Sequence, residues 1–260
     1  TPLYQLYQSS NYPFSSVSYE LTEMTGISAT GRGGLGTIIV QAAGNDALNM
    51  NGDGLNASRL TTSIAATDLD GDIEDYSNWG TGLLVSAPAL DYTTDLTGSD
   101  GYTTGNYVQN FNGTSAATPV VSGVVALMLE AEAGLGWRDV QNILAISAAH
   151  TGSDFGSAAT GFEQGEWFST GISTFNGGGH VYSLSYGFGM VDAFAAVRMA
   201  EAWLTLFDTA QTSANEVVRS HDGDSFTIPD IGTVTSTITV SANDSILIED
   251  ITATFDFAHT

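Results

Sequence analysis

Ser115 stands in the run Gly113-Thr114-Ser115-Ala116-Ala117-Thr118-Pro119, and its neighbours decide what its hydroxyl can do. Gly113 permits backbone angles closed to other residues just before the serine. The apolar sequence from Val120 to Leu129 reads as a long helix that begins near the serine. Pro119 is expected in the first helical turn, where a backbone N–H has no helical partner. A serine at that place meets free N–H groups and the positive end of the helix dipole, both of which favour developing negative charge. That is the setting an acyl-transfer nucleophile needs. Taken alone, Thr-Ser before a helix serves equally as an N-cap. A Gly-x-Ser-x-Gly elbow is excluded, because Ala117 fills the second glycine's position.

The elements around this run follow from the pattern. Val120, Val121, Val124, Val125, Leu127, Met128 and Leu129 leave almost no polar face, so the helix is expected to be buried all round. Leu21–Ala29 predicts a short helix, broken by Gly31-Arg32-Gly33-Gly34-Leu35-Gly36. Thr37–Ala42, Thr61–Ala66 and Leu83–Ala87 read as buried strands. Asp68–Asp72 is a turn, and residues 91–112 and 151–183 read as Gly-rich loops. Trp137–Ser147 and Met190–Leu204 predict amphipathic helices. Strands alternating with helices give an α/β domain with a parallel sheet. Near residue 205 the pattern changes to β-branched alternation, as in Thr235–Val240 and Ile246–Phe257. The domains expected are therefore 1–204 and 205–260, the second being the start of a β-sandwich.

Composition narrows the function classes. The chain has 260 residues, 29 acidic side chains against five Arg, and a net charge of −24. So few cations argue against nucleic acid as a partner, since phosphate contacts need Lys and Arg. The charge suits a soluble protein in a salty, calcium-containing medium, or simply a well-hydrated surface. There is no cysteine, which excludes disulfides and thiolate chemistry. No apolar run reaches ~18–20 residues, so no membrane span is expected. Thr1–Tyr4 lack the basic and apolar regions of a signal peptide. A secreted protein of bacterial origin is compatible with these features.

Several motifs together resemble the kexin and furin branch of the subtilisin-like serine proteases. They are the serine run itself, Gly31–Ile38, Ala42-Ala43-Gly44-Asn45, Leu129-Glu130-Ala131, Trp137-Arg138-Asp139-Val140-Gln141 and Ser185–Ala193. Their order and approximate spacing agree from about residue 20 to 204. Ile248-Glu249-Asp250-Ile251-Thr252 is similar to the first strands of the P domain of that branch. The resemblance implies a subtilisin-like parallel sheet flanked by helices, with Ser115 as nucleophile. It implies that Asn45 donates its side-chain amide to the oxyanion. Asn45 also follows a buried strand at its C-terminal end, where open α/β sheets build sites. An asparagine bracing its own turn is the alternative there.

The resemblance also implies a triad ordered Asp, His, Ser, with the first two ahead of Asn45. No residue before Asn45 is a histidine. His150, His180, His221 and His259 all follow Ser115, and each reads as an exposed or loop histidine. The expectation is the C-terminal part of a serine endopeptidase. Its upstream segment would supply the Asp and His, and its substrate would be a peptide or protein. The alternative is a catalytically inactive binding or structural module on the same fold. Asp53 aligns with a carboxylate that helps to bind a basic P1 side chain in the kexin branch. Asn49, Asn51 and Asp53 also mimic the start of a Ca²⁺-binding loop, although Leu60 stands where a complete EF-hand needs glutamate. Asp68, Asp70 and Asp72 are further Ca²⁺ candidates, with a solvated turn as the alternative. Asn78 stands where the kexin branch has an acidic calcium ligand. Structural Ca²⁺ is expected, and no organic cofactor.

Overall fold

Short strands of alternating small and branched residues form the core of the described residues. The computed structural model describes residues 17–169 and 180–216. Strands β1 (Ile39–Ala42), β2 (Thr61–Thr67) and β3 (Leu83–Pro88) make a parallel sheet in that order. Ile39 pairs with Thr61, and Ile64 with Val85. Every residue of β2 is buried, as a parallel strand covered on both faces requires. Ile64 and Ala66 enter one core, while Ala65 on the opposite face joins Ala43, Met50, Leu83, Trp167 and Tyr186. Beyond β3, residues 188–191 extend the sheet. Phe188 N donates to Leu84 O, Ser86 N to Gly189 O and Val191 N to Ser86 O. Among the described residues β1 pairs only with β2.

Among the described residues four α-helices and two small antiparallel strand pairs accompany this sheet. Helix α1 (Val17–Thr30) precedes the glycine string. In that string the Arg32 guanidinium donates to the carbonyls of Gly36, Ala133 and Leu135. Residues 91–112 do not form the expected loop. They contain the antiparallel pair β4 (Asp91–Thr94) and β5 (Tyr107–Phe111), with Tyr92 stacked on Tyr107. The stacked aromatic pair stabilises a hairpin within otherwise turn-rich sequence. In the Gly-rich stretch after residue 151, β6 (Phe168–Ser169) pairs with β7 (Val181–Tyr182).

Helix α2 (Thr114–Ala131) starts at the serine run and crosses the sheet, packing on all three strands and on α4. Its Val121, Val124, Val125 and Met128 enter the core, each contributing about 1.5–3 kcal/mol on burial. The helix is not buried all round, however. Ser122, Gly123, Ala126 and Leu127 are exposed, and Leu127 is 53% exposed. Pro119 also departs from expectation, since it lies in the second turn rather than the first. It withholds the N–H that would have closed on the carbonyl of Ser115. The helix has 18 residues and a mean hydropathy of 1.4, so by length and composition it is apolar enough to cross a membrane. The sequence masks this, because Thr, Ser, Gly and Pro interrupt its apolar run. Packed on a sheet, it is a core helix.

Helix α3 (Trp137–Ser147) occupies the span expected from periodicity, and Val140, Ile143 and Leu144 face the core. Helix α4 begins later than Met190, at Ala193, because Asp192 caps it by accepting from Ala195 N. It runs to Phe207 and packs on α2 and α3. The chain divides into compact units Thr1–Ala214 and Asn215–Thr260, so the first unit passes residue 204. Arg138 Nη1 donates to Thr212 O and holds that extension down. The expected β-sandwich strands, from residue 217 onward, lie outside the described residues.

One buried carboxylate joins these elements. Asp139 is fully buried and accepts from Gly136 N (2.8 Å), Trp203 Nε1 (2.7 Å) and Gln211 N (2.9 Å). Burial pushes its pKa up, against the pull of the three donors. Because the shift is upward, Asp139 favours folding most below its unfolded pKa. That advantage is lost as pH rises through the raised value. Asp139→Ala is expected to cost about 3 kcal/mol by orphaning three donors. Asp139→Asn should cost nearly as much, since its amide nitrogen opposes a donor. Thermal unfolding measures both, and a change under about 0.5 kcal/mol would contradict the assignment.

Candidate active site

Two turns bring Ser115 and Asn45 together. The first follows β1 and carries Ala43-Gly44-Asn45. The second carries Gly113 at φ 96° and ψ 166°, an angle pair that leads directly into α2. A Cβ on Gly113 would stand 3.3 Å from Asn45 Nδ2, so glycine also allows the close approach of the two turns. Ser115 is the second residue of α2 and is exposed.

Thr114 connects them. Asn45 Oδ1 accepts from Thr114 N at 2.8 Å and from Thr114 Oγ1 at 2.9 Å. The same hydroxyl accepts from Gly44 N at 3.1 Å. Thr114 is fully buried, and its hydroxyl uses both donor and acceptor capacity. The amide of Asn45 is thereby oriented: its oxygen is committed and Nδ2 is left as an open donor. Among the described residues neither Asn45 Nδ2 nor the Ser115 N–H has a hydrogen-bond partner. Two neutral donors beside an exposed hydroxyl can stabilise an oxyanion without proton exchange. The Ser115 hydroxyl has no partner among the described residues.

Three residues of this arrangement were not visible as site residues in the sequence. Thr114 was read only as part of the serine run. Tyr76 accepts from Gly113 N through its phenol oxygen (3.1 Å), and burial raises its pKa. Asn78 is buried beneath the Asn45 turn. Asn78 was noticed only for its place at a family calcium-ligand position, and nothing local in Tyr-Ser-Asn signals a role beside Asn45.

The histidines lie elsewhere. His150 Nε2 contacts Ser153 O, and its ring tilts against Trp167. His180 lies in a loop, within the exposed-or-loop expectation, but is not exposed. It is buried edge-on to Phe188, which pushes its pKa down. Neither hydrogen-bonds Ser115. His221 and His259 fall outside the described residues.

The remaining sequence candidates serve local turns. Asp53 is 5% exposed and accepts from Leu55 N, Asn56 N and Asn56 Nδ2. Asn49 accepts from Asn51 N, and Asn51 from both N and Oγ1 of Thr81. Asp68 accepts from Asp70 N and Asp72 N. Among the described residues no three His, Asp or Glu side chains stand close enough to share an ion. These side chains brace their own turns, so a Ca²⁺ ion there would have to be held partly by backbone carbonyls and amide oxygens.

Comparison with known proteins gives a consistent family. Residues 9–189 match the Peptidase_S8 model, the subtilase family. Furin-1 of Xenopus laevis is 33% identical over 183 residues, which cover 68% of this chain and 21% of that protein. The dibasic-processing endoprotease of Schizosaccharomyces pombe is 36% identical over 177 residues, covering 66% and 23%. The chain thus spans about a fifth of the length of these curated relatives. Among solved structures, the serine protease of Aeromonas sobria aligns with a TM-score of 0.59 and 25% identity. That alignment covers 74% of this chain and 40% of the other.

The threonine bridge yields a direct test. Thr114→Val keeps the shape but removes the hydroxyl, leaving Gly44 N without its partner. Stability should fall by about 1–2 kcal/mol. Asn45 should become mobile, seen as heterogeneity of its side-chain amide in NMR. An unchanged melting temperature with a single Asn45 amide environment would contradict the bridge.

Proposed function

The chain belongs to the subtilase family and has its subtilisin-like α/β fold, and on that premise we propose that it carries half of a serine endopeptidase site. Ser115 attacks the peptide carbonyl. Asn45 Nδ2 and the Ser115 N–H take the charge that develops on its oxygen. The Asp and His of the triad come from polypeptide upstream of this sequence, and a peptide or protein is the substrate. Without that base the serine hydroxyl is a weak nucleophile. The observation that carries the reading is the fixed amide of Asn45, its oxygen held by Thr114, the residue before Ser115, and its Nδ2 left open among the described residues.

The edge of the sheet supports an upstream segment. β1 has an unpaired edge among the described residues. Beside it runs a groove lined by Thr37, Ile38, Val40, Ser122, Val125 and Ala126. Parallel sheets are normally covered on both sides, and an open edge invites aggregation. We place the upstream strands there. The dibasic-processing endoprotease among the relatives points to substrates with paired basic residues. Asp53 is not carried into that reading, because its oxygens already brace its own turn. Secretion from a bacterial cell, in keeping with the acidic surface, completes the proposal.

Purified chain 1–260 alone is expected to hydrolyse no peptide, and the full polypeptide to do so in a Ser115-dependent manner. Ser115→Ala in the full polypeptide should abolish turnover and serine-directed phosphonate labelling while folding survives. Serine-dependent turnover by 1–260 itself would overturn the upstream-base reading. A folded full polypeptide without turnover would favour the binding-module alternative.

Calcium is a separate proposal for the parent protein, with no step of the reaction routed through it. If acidic loops 49–54 and 68–75 take the ion, chelation lowers the melting temperature. Equal melting with calcium and with chelator, at matched ionic strength, would remove calcium from the account.

A further inference from the structure

The tripeptide Tyr76-Ser77-Asn78 binds both the turn that carries Asn45 and the turn that leads to Ser115. Asn78 is 2% exposed, and its side chain is hydrogen-bonded under the turn that carries Asn45. Its Oδ1 accepts from Asp46 N (3.1 Å) and Leu48 N (2.9 Å), and its Nδ2 donates to Ala43 O (2.9 Å). These contacts bracket Asn45 on both sides of the chain. Backbone bonds strengthen the grip: Asn78 N donates to Gly44 O and Ala47 N to Tyr76 O, both at 2.9 Å. Gly44 makes room for this, at φ 105°. A Cβ there would lie 2.3 Å from Asn78 Nδ2.

The other two residues fasten the strap at its ends. Ser77 Oγ accepts from Ala66 N of β2 at 3.1 Å, tying the tripeptide to the buried sheet. Tyr76 reaches the second turn, where its phenol oxygen accepts from Gly113 N at 3.1 Å. One short segment thus holds the oxyanion turn, the nucleophile turn and the central strand.

We infer that Tyr76 and Asn78 are positioning residues that fix the oxyanion donor relative to the nucleophile. The inference rests on the reading of Asn45 as that donor. Neither residue hydrogen-bonds Ser115 or the Asn45 side chain, so each acts through the backbone it binds. The bonds made in this chain fit an amide at 78. Two acceptor bonds and one donor bond converge there, and a carboxylate would lose the donor and face the carbonyl of Ala43. An apolar residue would leave all three backbone groups unpaired.

A double-mutant cycle in the full polypeptide tests this. Asn78→Ala is expected to lower kcat about 10- to 10²-fold, with KM within about twofold, because misplacement acts on the transition state. In an Asn45→Ala background, itself lowered about 10²–10³-fold in kcat, the same change should cost less than about threefold. Losses that multiply fully in the two backgrounds, or a loss carried by KM alone, would overturn the inference. An unchanged kcat for Asn45→Ala alone would instead show that the donor assignment beneath it is wrong. Tyr76→Phe keeps the ring and removes only the acceptor for Gly113 N. It should lower kcat about 3- to 10-fold and show the same coupling to Asn45. An unchanged kcat in Tyr76→Phe overturns the inference even if Asn78→Ala does not fold.

Discussion

The pair of bonds from Thr114 to Asn45 Oδ1 is the constraint on which the site depends. A free asparagine amide is ambiguous, since either end can face a reacting carbonyl. Here two donors claim the oxygen, so the nitrogen is left for an oxyanion. The cost of orienting that dipole is met during folding, before substrate arrives, which is what electrostatic preorganisation means. The same threonine hydroxyl accepts from Gly44 N and so ties both turns at one buried point.

The rest of the fold serves to hold those turns still. Asn45 leaves the end of β1, and Ser115 opens the helix that crosses β1, β2 and β3. Each is anchored in the same layer of Val, Ile, Ala and Met side chains. The polar ties between them are neutral amides and hydroxyls. They therefore need no counter-charge, and they are insensitive to the salt that screens surface carboxylates.

Much of this was legible in the sequence because its signals were local. The span of α3 follows from the period of Val140, Ile143, Leu144 and Ile146, and β1 to β3 from short branched runs. Ser115 and Asn45 emerged because glycines and a family pattern surround them. Other features were hidden because they depend on partners distant in the chain. Tyr76 gains its role only when Gly113 folds back onto it. Asn78 drew notice only as a departure from a family calcium ligand, and its amide binds three backbone groups that the sequence does not reveal. The Asp68 to Asp72 turn had the composition of an ion loop, but its hydrogen bonds close on its own backbone. Pro119 was misplaced by one turn, because an exposed helix face tolerates a missing N–H that a buried one would not.

The most direct measurement is a structure of the full polypeptide with a phosphonate covalently bound to Ser115. The account requires one phosphonate oxygen at about 2.7–3.1 Å from both Asn45 Nδ2 and the Ser115 N–H, with Thr114 still bound to Asn45 Oδ1. A phosphonate oxygen turned to solvent, or an Asn45 amide presenting Oδ1 to it, would contradict the account.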